Sequence, residues 1–403
     1  MKELFVELER WGSDVIFGRA RGFRAALMRG FMWTLSGVFR GVVQARLALF
    51  RSGWKEQHYL GTLVVSVGNI TVGGTGKTPV VELLARSLHQ RGRRVAILSR
   101  GYKSRRLDKP QTWLGANGRP FPAEAMPKIV STGSELLLES KFAGDEPYML
   151  ARNLDGVAVI VDPDRVKGGR FAISQFGADT LILDDGMQYL RLAHALDIVL
   201  VDAREPFGTG ALLPRGTLRE PPPNLHRASY ILITKCDGRS NETLVSRLRQ
   251  YNQTAGIIEC THEPIRLENP FTGEIQPLGF LQDKWVAAVS GIAVPENFER
   301  LVEKLGARVE IRRRFPDHYR FGRKEIDKFM QRCVERDMEL IITTEKDAVR
   351  FPRPRQMDVP IYYLRIEVTV LKGQEIWDDM VNRLSHPPET REHILRHREA
   401  YRA

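Results

Sequence analysis

A glycine-rich loop constrains the fold of this chain more than any other feature. The segment TVGGTGKT, residues 71–78, follows an apolar run at 63–67 that is typical of a buried strand. Pro79 and the apolar periodicity through Leu88 then predict a helix, and a second strand is predicted at 95–98. A strand, loop, helix and strand of this length form a parallel crossover. The sequence therefore predicts an α/β fold around this loop.

The loop has the composition of a site for the phosphates of a nucleoside triphosphate. Its glycines allow backbone N–H groups to turn toward phosphate oxygens, Lys77 can reach the β- and γ-phosphates, and Thr78 offers a hydroxyl to Mg²⁺. Thr71 stands where the usual GxxxxGKT pattern has its first glycine. The predicted phosphate-binding residues are Thr71, Val72, Gly73, Gly74, Thr75, Gly76, Lys77 and Thr78.

Carboxylates follow two other predicted strands. The apolar run at 181–183 ends in Asp184 and Asp185, and Asp202 follows the run at 198–201. A triphosphate site needs a carboxylate at the end of a nearby strand for its Mg²⁺ shell. Two adjacent carboxylates repel each other unless a cation lies close to them. We predict Asp185 in the metal shell with Asp184 as its close partner, and Asp202 as the second candidate.

Two further clusters carry groups that can accept a proton. Asp145 and Glu146 precede Pro147 at the start of a helix-like stretch, and Asp317 and His318 lie together in the segment PDHY. An enzyme that phosphorylates a hydroxyl benefits from a carboxylate or imidazole that accepts the hydroxyl proton. On spacing alone, each cluster can equally be a capping turn.

The length and the alternation of strands and helices predict two domains. We expect a nucleotide-binding kinase domain at residues 53–228 and a smaller α/β domain at 229–385. They are flanked by an N-terminal region at 1–52 and a basic tail at 386–403.

The N-terminal region has the pattern of a basic amphipathic helix. Its longest uncharged run near the centre, residues 30–39, has ten residues, whereas a spanning helix needs about 20. A helix that lies in an anionic membrane surface explains the pattern, and a helix packed on its own domain is the alternative. The apolar residues that share one face are Leu27, Phe31, Leu35, Val38, Val42 and Leu49, and Arg29, Arg40 and Arg51 lie opposite.

Charge points to an acidic partner, because 61 Lys and Arg against 49 Asp and Glu give a net charge of +12. Nucleic acid is not expected, since no helicase motif is recognisable. The three cysteines are far apart and form no CxxC pair, which favours a reducing cytoplasm over a disulfide framework.

Taken together, these motifs resemble the tetraacyldisaccharide 4'-kinase family of lipid A biosynthesis, from about residue 20 to 370. Thr71 in place of the first glycine is similar to the family's own loop. The segments that carry the resemblance are SVGNITVGGTGKTPVV from Ser66, SRGY from Ser99, GDEP from Gly144, LILDDGMQ from Leu181, LLPRGTLREP from Leu212, SGIAVPENF from Ser290, FPDHY from Phe315 and TTEKDAV from Thr343.

The resemblance implies a lipid kinase that uses ATP and Mg²⁺. Its substrate would be the 4'-hydroxyl of a tetraacyldisaccharide 1-phosphate, and it would act at the cytoplasmic face of the bacterial inner membrane. A monomer is our expectation, although the sequence does not reveal the oligomeric state. The implied fold is a P-loop NTPase-type α/β/α sandwich and a smaller α/β/α domain, joined by a two-stranded hinge. The smaller domain would help to close over the nucleotide.

The resemblance also implies roles for particular residues. Asp145 matches the acid proposed as catalytic base and His318 the histidine that acts with it, although the residues alone leave open which group takes the proton. The lipid and nucleotide site would contain Arg100, Tyr102, Arg219 and Glu220. The chain departs from the family's DDGFQH at Met187 and Tyr189; the tyrosine removes a possible titrating group.

A GTP-binding switch or metallochaperone is the alternative function. The tetrapeptide from Thr234 to Asp237 has the TKxD form that reads a guanine base, and it follows a predicted strand. No His/Cys metal-delivery motif accompanies it.

Overall fold

The computed structural model describes Glu7 and residues 11–109, 111–114, 120–122 and 126–386, which form a mixed α/β fold. Its helices span Phe23–Arg51, Lys77–Gln90, Ser140–Ala143, Asp145–Asn153, Arg165–Phe176, Glu242–Arg249, Pro295–Lys304, Arg323–Glu335, Glu345–Ala348 and Gln374–Ser385. Its strands, β1 to β13 in chain order, span Leu63–Asn69, Val95–Ser99, Lys128–Ser131, Ala158–Val161, Thr180–Asp184, Leu196–Asp202, Tyr230–Thr234, Gly256–Glu268, Ile275–Gln276, Trp285–Ser290, Arg308–Arg314, Leu340–Thr344 and Ile361–Lys372.

The chain divides into two compact units that are not contiguous in sequence. The first contains Met1–Arg100, Asp164–Thr261 and Thr369–Ala403, and the second contains Gly101–Pro163 and His262–Val368. The predicted domains, in contrast, are contiguous and meet near residue 229. The predicted roles of those domains stay predictions, and the tail beyond residue 386 lies outside the described residues.

A parallel sheet forms the centre of the first unit, in the order β8-β7-β6-β1-β5-β2. The strand β1 is buried along its whole length between β5 and β6. The helix Lys77–Gln90 packs on β1, β2 and β5, and its apolar face, which includes Leu84 and Leu88, is buried as predicted. Because parallel strands end at the same edge, Asn69, Asp184 and Asp202 leave the sheet on one side.

The second unit has a parallel sheet with a helix on each face. Its strands lie in the order β11-β10-β12-β13. Val286 and Ala288 of β10 pack in the same cluster as the helix Pro295–Lys304, whereas Ala287 and Val289 pack with the helix Arg323–Glu335. Alternate residues of a strand point to opposite faces, so this unit is an α/β/α layer structure.

The N-terminal helix Phe23–Arg51 packs on the first unit by one face only. Ser36 donates to the Leu212 carbonyl oxygen at 2.8 Å, and Leu47 and Phe50 pack against Leu190. The opposite, apolar face is exposed and contains Leu27, Phe31, Leu35, Val38 and Val42. Within the described part of the chain, every helix is too short or too polar to cross a membrane.

Candidate functional site

The side chain of Asn69, fully buried at the end of β1, organises the glycine-rich loop. Its amide nitrogen donates to the hydroxyls of Thr71 at 3.3 Å and Thr75 at 3.1 Å. Its amide oxygen accepts from the Lys77 ammonium at 3.3 Å. Gly76 has φ 80°, in the left-handed region that favours glycine, and the helix begins directly after it at Lys77. One buried amide therefore fixes the loop at three points before any ligand binds.

The next strands along the sheet hold the other side of the loop. Thr234, at the end of β7, donates its hydroxyl to the Thr75 carbonyl oxygen at 2.8 Å. Lys235 donates to the Gly74 carbonyl oxygen at 2.5 Å and to Asp202 Oδ2 at 2.6 Å. Two residues of the predicted base-reading tetrapeptide thus hold the loop, and the candidate metal ligand Asp202 is engaged by a lysine.

Asp185 lies at the centre of a cluster of charges beside the loop. Its carboxylate is 3.5 Å from the Lys77 ammonium, and it accepts from Arg219 Nη1 at 2.7 and 2.9 Å. Burial opposes ionisation of Asp185, but the two cations outweigh it and lower the pKa of this carboxyl below its ordinary value. Its φ of 56° is uncommon for a non-glycine residue and is the kind of strain that concentrates at functional sites.

Close packing holds the turn that carries the two aspartates. Ser99 donates to Asp184 Oδ2 at 3.0 Å, so β2 fixes the first carboxylate. A Cβ at Gly68 would lie 2.7 Å from Met187 Cβ, and one at Gly186 would lie 2.6 Å from Leu183 Cβ. Both glycines are therefore required where the turn approaches the sheet. Met187, one of the two residues that depart from the DDGFQH pattern, is buried in the core.

The oxygen ligands at this edge fit Mg²⁺ bound with a nucleotide. Among the described residues, no three His, Cys, Asp or Glu side chains are grouped to hold a metal by themselves. Magnesium in nucleotide sites takes one or two carboxylates together with phosphate oxygens and water, so it does not need such a group. The Asp184–Asp185 pair at the end of β5 and the hydroxyl of Thr78 in the first turn of the helix are suitable donors.

Tyr189 is part of a hydrogen-bonded arrangement around Arg165. The tyrosine hydroxyl donates to Asp164 Oδ1 at 2.9 Å and accepts from the Arg165 backbone N–H at 3.0 Å. The Arg165 guanidinium lies over the tyrosine ring, 4.5 Å from its centroid. Burial raises the pKa of Tyr189, so the hydroxyl stays protonated and can donate. Tyr189 therefore fixes a buried arginine at the start of its helix.

The four predicted substrate residues have different surroundings. Arg219 binds Asp185, as described above. Glu220 is buried, with its carboxylate bound by Arg227 at 2.7 Å and by the amide of Gln188 at 3.0 Å. Arg100 is exposed directly after β2 in the first unit. Tyr102 belongs to the second unit and is 66% exposed there.

The second unit brings together the two acid clusters that the sequence left apart. His318 Nδ1 is 2.9 Å from Asp145 Oδ2, although the residues are 173 positions apart in the chain. Asp145 is the first residue of its helix, directly after the N-cap residue Gly144. His318 has φ 63°, and the ring of Tyr102 contacts it edge-on with centroids 5.9 Å apart. The clusters therefore form one acid–imidazole pair rather than two capping turns.

Basic groups surround this pair. Arg320 lies 3.5 Å from Asp145 Oδ1, and Arg350 lies 3.7 Å from Oδ2. Burial opposes ionisation of Asp145, but the hydrogen bond with His318 and the two guanidinium charges outweigh it and lower the pKa of this carboxyl. On the other side of the imidazole, Nε2 is 3.3 Å from the Lys346 ammonium. Asp145 is thus held as a carboxylate.

Sequence reasoning missed several residues of these sites. It did not select Asn69, Arg165, Arg320 or Arg350, and it assigned Lys235 to a base rather than to the loop. One sequence pattern could have identified Asn69, since it is a polar residue at the end of an apolar strand. The arginines had no such pattern, because the site residues that they approach, Tyr189 and Asp145, are distant from them in sequence.

Comparisons with known proteins agree with one another. A family model for tetraacyldisaccharide-1-P 4'-kinase matches residues 28–385. The chain is 38% identical over 370 residues to a tetraacyldisaccharide 4'-kinase of Anaeromyxobacter dehalogenans (strain 2CP-C), covering 91% of this chain and 93% of the relative. It is 38% identical over 328 residues to one of Syntrophus aciditrophicus, covering 79% and 83%. The crystal structure of "apo" form LpxK from Aquifex aeolicus in complex with ATP is similar, with a TM-score of 0.69 and 28% identity, and covers 89% of this chain and 100% of that one.

The substitution Asn69→Ala tests the assigned role of this amide. We expect the dissociation constant for ATP to rise about 5- to 30-fold, because the loop loses hydrogen bonds of about 1–2 kcal/mol in total. Titration of a fluorescent ATP analogue measures this. Asn252→Ala is the matched control, since Asn252 is a buried amide of the same unit that bonds the Leu225 and Ala228 carbonyls. Equal affinity loss in both variants would contradict the assignment.

Proposed function

Because this chain belongs to the tetraacyldisaccharide 4'-kinase family, we propose that it transfers the γ-phosphoryl group of ATP to the 4'-hydroxyl of a tetraacyldisaccharide 1-phosphate. The observation that carries the proposal is the 2.9 Å contact between Asp145 and His318. A hydroxyl substrate must lose a proton during transfer, and this ionised acid with its adjacent imidazole is suited to receive it.

ATP binds at the glycine-rich loop, which acts as a P-loop within a P-loop NTPase-type sandwich. The backbone N–H groups of Gly73 and Gly74 would turn toward the phosphates, and the start of the helix at Lys77 would add its partial positive charge. Lys77 reaches the β- and γ-phosphates. Its present contacts with Asn69 and Asp185 place the ammonium beside the loop and support this role.

Mg²⁺ would be held by the hydroxyl of Thr78 and by Asp185, with Asp184 as the neighbouring carboxylate. The ion supplies positive charge to the phosphate oxygens. Lys77 and Arg219 keep Asp185 ionised at neutral pH, since they lower the pKa of its carboxyl. Ser99 orients Asp184 by a hydrogen bond to Oδ2.

Asp145 accepts the proton of the 4'-hydroxyl, and His318 orients it. Phosphoryl transfer passes through a loose transition state, in which the attacking hydroxyl keeps its proton until late. Under those conditions a correctly placed, ionised acceptor matters more than a strongly basic one. The charges of Arg350 and Arg320 keep Asp145 in that state.

The four residues predicted for the substrate differ in what they offer to an anionic lipid. Arg100 and Arg219 offer guanidinium groups that match phosphate geometry. Tyr102 exposes an aromatic ring beside His318, which suits contact with a sugar face. Glu220 is bound by Arg227 and Gln188, and it acts by holding Gln188 rather than by contacting the lipid directly.

The N-terminal helix attaches the monomeric enzyme to the cytoplasmic face of the inner membrane. Its exposed apolar face would enter the interface, while Leu47 and Phe50 hold the helix on the protein. A substrate with four acyl chains cannot leave the bilayer easily, since each exposed CH₂ costs about 0.8 kcal/mol. The protein must therefore come to the membrane, and the net charge of +12 favours an anionic surface.

The substitution Asp145→Asn, compared with the unsubstituted protein, tests both lipid phosphorylation and the role of Asp145 as the base. With γ-labelled ATP, Mg²⁺ and the tetraacyldisaccharide 1-phosphate, the unsubstituted protein should transfer label to lipid. The variant should lose about 10²- to 10⁴-fold in kcat, the usual contribution of a general base. Its affinity for ATP should change less than about twofold, because the loop lies in the other unit and is unaltered.

Asp155→Asn is the control, since it removes an exposed carboxylate of the same unit. It should keep its turnover. Near-normal turnover of Asp145→Asn would refute the role of Asp145 as the base. If the unsubstituted protein hydrolyses GTP and yields no labelled lipid, the kinase activity is refuted.

The double substitution Phe31→Ser with Val38→Ser tests membrane attachment. Both side chains are 61% exposed, so their replacement should leave the fold unchanged. Loss of two inserted apolar groups should weaken binding to vesicles that contain an anionic phospholipid by at least about tenfold. Co-sedimentation measures this, with Ala48→Ser, an exposed position outside the apolar face, as control. Unchanged sedimentation of the double variant would exclude this face as the anchor.

A further inference from the structure

Arg350 is an unusual residue to find beside the acid–imidazole pair. Its side chain is fully buried, and its Nε lies 3.7 Å from Asp145 Oδ2. That distance is too long for a hydrogen bond but close enough for strong attraction between charges. Arg350 therefore acts on Asp145 through its charge and leaves the hydrogen-bonding capacity of the carboxylate free.

The surrounding backbone and one acid fix the position of Arg350. Its Nε donates to the Lys346 carbonyl oxygen at 3.1 Å, and Nη2 donates to the Gly291 carbonyl oxygen at 3.3 Å. Nη2 also donates to Asp347 Oδ1, whose side chain is equally buried. Asp347 is held in turn by the Gly291 N–H at 3.0 Å and by the Thr344 hydroxyl at 2.5 Å. The guanidinium therefore has one defined place.

This arrangement is not the one that stability alone would favour. Within the described chain, Nη1 of Arg350 is buried and makes no hydrogen bond. A buried guanidinium with an unused donor costs folding free energy, and an apolar side chain of similar volume is often equally stable at such a place. The charge of Arg350 therefore comes at a cost in stability, and its nearest carboxylate besides Asp347 is that of Asp145.

We propose that Arg350, held by Asp347, is a positioning residue that keeps Asp145 ionised and so sets the lower pH limit of turnover. The inference rests on the proposed function, because it concerns the same proton acceptor. Without the charge of Arg350, less positive charge would offset the cost of burying the Asp145 carboxylate. Its carboxyl would then protonate at a higher pH, and turnover would fall in a pH range where the unsubstituted enzyme is active.

Other groups that face the pair are weaker or act differently. Arg320 is 3.5 Å from Asp145, but its side chain is 33% exposed and solvent screens its charge. His318 contacts Asp145 directly. Lys346 and Asp317 approach the far side of the imidazole at 3.3 and 3.8 Å from Nε2, with opposite charges. Arg350 is the cation at Asp145 whose charge is best shielded from solvent.

The substitution Arg350→Met tests the proposal through the pH profile of kcat. The acidic limb reports protonation of the acceptor in the enzyme–substrate complex. We expect this limb to move upward by about one to three pH units, the effect of an opposite charge at this distance. Arg320→Met should move it less. Arg350→Lys keeps the charge and should restore most of the original position.

A purely structural role predicts a different result. A destabilised protein loses activity at every pH in proportion to its unfolded fraction, which circular dichroism measures, and its acidic limb stays in place. Arg355→Met is the matched control, because Arg355 makes an exposed ion pair with Asp327 at the same 3.7 Å distance. It should leave the limb unchanged.

Failure of the proposed function can be distinguished from failure of the proposed role of Arg350. Absence of lipid phosphorylation in the unsubstituted enzyme would remove the proposed function itself. An active enzyme whose acidic limb is unmoved in Arg350→Met would overturn only the role of Arg350. Arg350→Gln, which keeps hydrogen-bonding groups without the charge, provides the same comparison if the methionine variant does not fold.

Discussion

The parallel pairing of β1 with β5 and β6 is the constraint on which the first site depends. It directs the ends of three strands to one edge, where Asn69, Asp184 and Asp202 are the last residues of β1, β5 and β6. The glycine-rich loop is then held by Asn69 within β1 and by Lys235 after β7. A shift in this register would separate the loop from its carboxylates.

Both sites use cations to keep an aspartate ionised, and they do so with different geometry. Asp185 accepts direct hydrogen bonds from Arg219, so its oxygens are occupied until phosphates or a metal compete for these groups. Asp145 has guanidinium groups at 3.5 and 3.7 Å and a shorter contact, of 2.9 Å, with His318. The arrangement at Asp185 suits the binding of phosphates or a metal. The arrangement at Asp145 suits a carboxylate that must accept a proton.

Local pattern sufficed for much of the fold. The strands at residues 63–69, 180–184 and 340–344 are apolar runs with clear ends, and the helix after Lys77 has a continuous apolar face. The strand β4 is also an apolar run, whereas the four residues of β3 and its antiparallel pairing with β4 have no comparable pattern. The non-contiguous units follow from long-range packing, which composition does not report. The Asp145–His318 pair was foreseen only through a family resemblance, because its members are 173 positions apart.

The regiochemistry of the lipid product tests the central claim most directly. Phosphorus and proton NMR of lipid purified after reaction with ATP and Mg²⁺ should show a new phosphate monoester on the 4' carbon of the distal glucosamine, beside the original 1-phosphate. Unmodified lipid accompanied by released inorganic phosphate would contradict the account, as would an ester on a different hydroxyl.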